Sequence, residues 1–192
     1  MRLAVLCSGN GSNFENIVRV CNQDQVVLMI HNKKECGAAK RADKLGISHC
    51  CIKMKDEDQI IQLLKAWRVD LVVLAGWMRV ISADFIKAFP RTIINVHPSL
   101  LPKHKGLHAG QLAIDSKDSH TGCSVHYFTD DLDSGEVICQ SREIAIRPDD
   151  TVETLTRSIQ KEEHRILPLA IEHVKHEIQT RTYRHLLSDE DN

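Results

Sequence analysis

The run Val69–Ala75 (VDLVVLA) limits the folds open to this chain more than any other stretch. It has strand length and is almost wholly apolar, leaving no polar face for water, as expected of a parallel strand covered by helices on both sides. The flanking segments agree. Arg2–Cys7, Val26–Ile30, Ser48–Lys53 and Ile93–His97 read as further strands. Phe14–Cys21, Glu35–Leu45 closed by Gly46, and Asp58–Trp67 read as helices between them. Alternation of this kind builds crossover units and a parallel sheet. Downstream, a helix is expected over Gly110–Ser116, and strands over Thr121–Phe128 and Glu136–Ile146. The short acidic turn between those two strands makes them an antiparallel or mixed extension of the sheet. Thr151–Val174 keeps a helical period, and 181–192 is a polar, charged tail expected to fray. The expected fold is α/β: a three-layer α/β/α, Rossmann-like domain over residues 1–180, its mainly parallel twisted sheet carrying an antiparallel extension.

Composition narrows the function. A chain of 192 residues, 42% of them hydrophobic, can bury one substantial core. A net charge of −1 argues against a nucleic-acid-binding surface, and 4% aromatic residues are too few for base-stacking platforms. The seven cysteines, including adjacent Cys50 and Cys51, follow no disulfide or zinc spacing, so reduced thiols and no metal are expected. No run has signal-peptide or membrane-spanning character, so a cytoplasmic protein without membrane contact is expected.

Chemistry concentrates in Ile93–Pro102 (IINVHPSLLP). Asn95 and His97, at i and i+2 of a strand, point to one side, and Pro98 and Pro102 prevent continuation. An amide and an imidazole are thereby presented at the carboxyl end of a strand, where open α/β sheets keep their sites. Asp133, in the turn Asp130–Gly135 (DDLDSG), supplies a carboxylate partner. Taken singly, the three also read as a turn former, a loop histidine and a loop acid. The segment Ser8–Asn13 (SGNGSN) follows the first strand and precedes a helix, the context in which backbone N–H groups cradle a phosphate. It has neither the dinucleotide fingerprint nor the Walker ending, and it also suits a tight turn capped by Ser12 or Asn13. Gly76–Ile81 (GWMRVI) is too apolar for an ordinary exposed loop; it packs as core or lines a pocket for a flat ligand.

Ser8–Asn13, Asp70–Arg79, Asn95–Pro102, Gly106–His108 and Asp130–Gly135 occur in the order and form found in the phosphoribosylglycinamide formyltransferases, and the chain resembles that family from residue 2 to about residue 175. The resemblance implies direct transfer of a formyl group from the cosubstrate 10-formyltetrahydrofolate to the amine of glycinamide ribonucleotide, in de novo purine biosynthesis. It also implies small-molecule partners only, a monomer or homodimer, and no metal. By resemblance, Asn95 donates to the oxyanion of the tetrahedral intermediate, a protonated His97 stabilises it, and Asp133 holds His97 and takes up the amine's proton. Gly11, Ser12 and Asn13 receive the substrate phosphate, and Glu163 binds ribose. Met78, Arg79 and Val80 frame the pterin, with Asp130, Asp131 and Leu132 as the opposite wall. His108, Ser124 and His126 match positions around the transfer centre. The chain departs from the family at Ala109-Gly110, where a second histidine commonly stands, and at Lys53–Asp58, which is short and lacks an arginine. A formyltetrahydrofolate hydrolase and a methionyl-tRNA formyltransferase carry an extra N-terminal and C-terminal domain respectively, neither of which is expected here. A catalytically silent folate- or nucleotide-binding module is the alternative from another class.

Overall fold

A computed structural model describes residues 1–21, 25–53 and 56–190. Five parallel strands, β1 (Leu3–Cys7), β2 (Val26–His31), β3 (His49–Cys51), β4 (Leu71–Leu74) and β5 (Ile93–His97), join β7 (Ser124–Tyr127) and β8 (Val137–Gln140) in one sheet of order β3-β2-β1-β4-β5-β7-β8. β7 runs antiparallel to β5, and β8 antiparallel to β7. The expected α/β/α fold with an antiparallel extension is what forms. The chain winds outward from β1 in one direction and, after β4, in the other, so the carboxyl ends of β1 and β4 flank the crevice where such sheets bind ligands.

Side-chain parity divides the core between the two faces. Leu3, Val5, Leu71, Val73, Ile94, Val96 and Val125 pack with Phe14 and Ile17 of α1 (Ser12–Val20), Ala38 and Ala42 of α2 (Gly37–Leu45), and Leu155, Ile159 and Ile171 of the last helix. Ala4, Leu6, Val72, Leu74 and Ile93 pack with Ile60 and Leu64 of α3 (Glu57–Ala66) and Phe85 of α4 (Ala83–Ala88). Burying aliphatic side chains on both faces stabilises by about 1.5–3 kcal/mol per fully buried residue, which explains the unbroken apolar run of β4.

Three expectations are revised. The strand read over 121–128 is broken: His120–Thr121 (β6) pairs instead with Ile144–Ala145 (β9) as a separate ribbon. Gly122, at the break, lies so close to Ser141 and Leu100 that an added Cβ would meet Ser141 Oγ at 2.5 Å, so only glycine fits. Helix α5 (Ala109–Asp115) begins one residue early, after His108 in left-handed conformation (φ 64). The end expected to fray is helical: α6 runs Val152–Glu190, because nothing after Pro168 breaks a helix and the segment has ordinary helix formers throughout. Residues 191 and 192 lie outside the described residues. No helix among the described residues is long and apolar enough to cross a membrane.

Candidate active site

The antiparallel pairing of β5 with β7 sets Asn95 opposite His126 and His97 opposite Ser124. All four share the parity of Ile93, on the face opposite Val96 and Val125, so one small patch of sheet changes from apolar to polar. Asn95 Nδ2 lies 3.2 Å from His126 Nε2, and His126 Nδ1 lies 2.9 Å from the Tyr127 carbonyl. Asp133 enters from the 130–135 turn in left-handed conformation (φ 46). Its carboxylate lies 3.3 Å from His97 Nδ1 and 3.4 Å from His126 Nε2, and accepts from the Gly106 amide at 2.8 Å. The expected trio therefore converges, with His126 as a fourth member. Ser124 has a different job: its hydroxyl accepts from the Leu101 amide and donates to the Ser99 carbonyl, tying down the segment after β5.

Burial would raise the pKa of Asp133, but His126, the Gly106 amide and His97 together hold it below the ordinary carboxylate value. Only 4% exposed, His97 is pushed below the ordinary histidine value by burial, against the opposing pull of the His104 carbonyl and Asp133. Nε2 faces the His104 carbonyl at 2.8 Å and Nδ1 faces the Asp133 carboxylate at 3.3 Å, so each ring nitrogen meets an acceptor.

Across the crevice, Gly11 (φ 76) caps α1 without any side-chain hydrogen bond to the first turn. Neither Ser12 nor Asn13 is the cap, so no side chain of the cap satisfies the first-turn amides. An added Cβ at Gly11 would come within 2.7 Å of Ala38, so glycine permits both the turn and the close approach of α2. Asn13 instead donates from Nδ2 to Glu163 on α6 at 2.8 Å, and its own Oδ1 is buried without a partner. Glu163, 8% exposed, is held above the ordinary carboxylate value by burial, which the Asn13 amide only partly offsets. Ser8, buried between these regions, donates its amide to the Gly76 carbonyl and accepts the Met78 amide on its hydroxyl, both at 3.0 Å.

Residues 1–171 match the protein family described as formyl transferase. The chain belongs to the formyl transferase family. It is 35% identical over 182 residues to the phosphoribosylglycinamide formyltransferase of Escherichia coli, covering 89% of this chain and 85% of that one. It is 38% identical over 183 residues to the trifunctional purine biosynthetic protein adenosine-3 of Drosophila melanogaster, covering 88% of this chain but only 14% of that one. The chain thus spans about one seventh of the trifunctional relative's length. The crystal structure of the phosphoribosylglycinamide formyltransferase of Bacillus halodurans superposes with a TM-score of 0.85 at 35% identity, covering 91% of this chain and 95% of that one.

Within this formyl transferase, the choice left open at 76–81 resolves by residue. Ile81 is core and Trp77 packs against it, whereas Met78, Arg79 and Val80 are exposed at the carboxyl end of β4. Asp130, Asp131 and Leu132 are likewise exposed, beside buried Asp133. His108 is exposed at the start of α5. At Gly110 a side chain would find open space, with Thr156 Oγ1 at 3.9 Å as its nearest neighbour. The short connection over 53–58 includes residues 54 and 55, which lie outside the described residues. Sequence reasoning missed His104, whose carbonyl orients His97; a backbone acceptor leaves no signature in residue type.

Proposed function

We propose that this formyl transferase moves the formyl group of 10-formyltetrahydrofolate to the primary amine of glycinamide ribonucleotide, giving formylglycinamide ribonucleotide and tetrahydrofolate. The observation that carries this reading is the convergence of Asn95, His97 and His126 on Asp133, in the crevice that also holds the uncapped amino end of α1. The amine attacks the formyl carbon, a C–N bond forms, and the carbonyl oxygen becomes an oxyanion. With one Nδ2 hydrogen on His126, Asn95 offers the other to that oxygen, the preorganised donor such an intermediate needs. The amine's proton passes to Asp133, which His97 holds in place from 3.3 Å, and goes on to the departing folate nitrogen as the old C–N bond breaks. His97, when protonated, adds its positive charge to the stabilisation of the oxyanion.

The other assignments follow from the same crevice. The amides of Gly11, Ser12 and Asn13 receive the phosphate; Glu163 and the unpartnered Oδ1 of Asn13 take the ribose hydroxyls. Met78, Arg79 and Val80, with Asp130, Asp131 and Leu132, line the folate, their exposed apolar side chains covering its ring. His108 stands at the rim.

The test is formyl transfer followed by the absorbance of tetrahydrofolate formation, with and without glycinamide ribonucleotide, beside Asp133→Asn. The variant keeps an acceptor for the Gly106 amide, so the fold should persist while kcat drops by about 10²–10⁴-fold. Turnover without the ribonucleotide would point to a hydrolase. Folate binding without turnover would point to a silent binding module.

A further inference from the structure

The amino end of α1 is joined to α2, and one side chain makes most of that link. Arg41 of α2 donates from Nε to the carbonyl of Asn10, the residue before the Gly11 cap, at 2.8 Å, and its Nη1 pairs with Oε2 of Glu15 in the first turn of α1. One turn earlier in α2, the Ala38 amide donates to the Gly9 carbonyl at 3.2 Å. A Cβ added at Gly37 would meet Asn10 Cα at 2.9 Å, so α2 lies hard against this loop. Glu15 is the awkward member. Its carboxylate stands in the first turn of the helix, where a fixed negative charge competes with a bound anion for the same amides and dipole. Arg19 takes the other oxygen, Oε1, at 2.7 Å, but from one turn further along α1 and with a side chain 59% exposed against 32% for Arg41, so water screens it more. The charge of Arg41 also reaches α6: after burial, the larger cause, it helps to hold the His164 ring, next to Glu163, below the ordinary histidine value. Arg41 thus stands where α1, α2 and α6 meet.

We propose that Arg41 is a specificity-determining residue for the phosphorylated acceptor: its guanidinium, held in place by the Asn10 carbonyl, cancels the Glu15 carboxylate and so lets a phosphate dianion settle on the first turn of α1. Without Arg41, Glu15 leaves a net negative charge beside the amides that must meet the dianion. Lys40 and Lys44 open on the same surface cleft as Asn10, Glu15 and Arg41, and add to the positive field that draws an anion in. The effect falls on binding and not on the transfer step, because Arg41 has its partners in α1 and the loop before it, whereas Asn95, His97 and Asp133 belong to β5 and the 130–135 turn. The inference rests on the phosphate placement proposed above for Gly11, Ser12 and Asn13.

The test is a charge cycle read by calorimetric titration of glycinamide ribonucleotide into folate-free protein, with steady-state transfer alongside. Arg41→Met should weaken binding, and raise KM for the ribonucleotide, by about tenfold or more, the scale of one unit charge acting over several ångströms near a protein surface, while kcat changes less than about threefold. Glu15→Gln should tighten binding severalfold. Combining Glu15→Gln with Arg41→Met restores the wild-type net charge and should bring affinity back to within about threefold of wild type. Arg19→Met is the control, with an expected change below about threefold. Raising salt should narrow every gap, which the loss of a mere packing contact would not do. If Arg41→Met does not fold, the step from Glu15→Gln to the double variant reads the same charge. Equal affinity in Arg41→Met and wild type overturns the proposal. So does a double variant as weak as Arg41→Met, which would make Arg41 a plain tether of the loop. A wild type that does not bind the ribonucleotide refutes the phosphate placement and this inference with it, whereas wild-type binding indifferent to both charges refutes this inference alone.

Discussion

Glu162 and Glu163 are neighbours on α6, both nearly buried, and their carboxyls are perturbed in opposite directions. Burial pushes Glu162 up, but Arg165 and Arg142, at 2.8 and 2.9 Å, more than reverse this. Glu163 has one neutral partner, the Asn13 amide, so burial prevails and its folded value lies above its unfolded one. A carboxyl in that position contributes stability that is complete below its unfolded value, near 4.3, and is lost as pH rises through the folded one. Glu163→Gln removes the ionisation and keeps an oxygen for Asn13. The expected gain is about 2 kcal/mol at pH 8, the scale of an under-compensated buried polar group, or about 4–8 °C in Tm for a chain of this size. At pH 4 the two proteins should melt together. Circular dichroism melts from pH 4 to 8 measure the difference. A gap that stays constant with pH, or a variant less stable at pH 8, would refute the electrostatic reasoning. The same substitution should raise KM for the ribonucleotide about tenfold or more, placing the stability penalty in the acceptor site.

The ring protons of His97 should titrate with a midpoint below 6.5 in ligand-free protein, because burial lowers its value. The sign for stability is opposite to that of Glu163: the His97 contribution is complete above the unfolded value and lost as pH falls through the folded one. An NMR titration measures the midpoint, and one above 6.5 would show that Asp133 and the His104 carbonyl outweigh burial. Gly11→Ala should destabilise by about 2 kcal/mol or more, combining left-handed strain with the 2.7 Å approach to Ala38. Gly46→Ala is the matched control, since its φ is 67 but no atom lies within 4 Å of the added Cβ; equal losses in urea unfolding would rule out the α1–α2 contact as a cause.

Wherever local pattern and tertiary demand coincide, the sequence was legible. β4 and β5 declared themselves by apolar runs, and the polar pair Asn95 and His97 stood out because their parity belongs to a buried face. Length-scale effects were less visible. The break at Gly122 depends on Ser141 and Leu100, which no window around 121–128 contains. Helical continuation to Glu190 was obscured because a polar run fits a solvated helix as well as a coil. The burial of His97 was hidden for a related reason: the Asp133 carboxylate is visible in the sequence, whereas burial is a property of the packed fold.

Pro168 sits inside α6, and having no N–H it cannot bond the His164 carbonyl four residues back. That carbonyl is met from outside the helix, by Asn16 Nδ2 of α1 at 2.7 Å, one residue along from Glu163. A gap in one helix thus becomes an address read by another. It fixes the rotation and height of α6 against α1 at the level where Asn13 meets Glu163, so two segments about 150 residues apart in the chain are held in mutual register like a key in its lock.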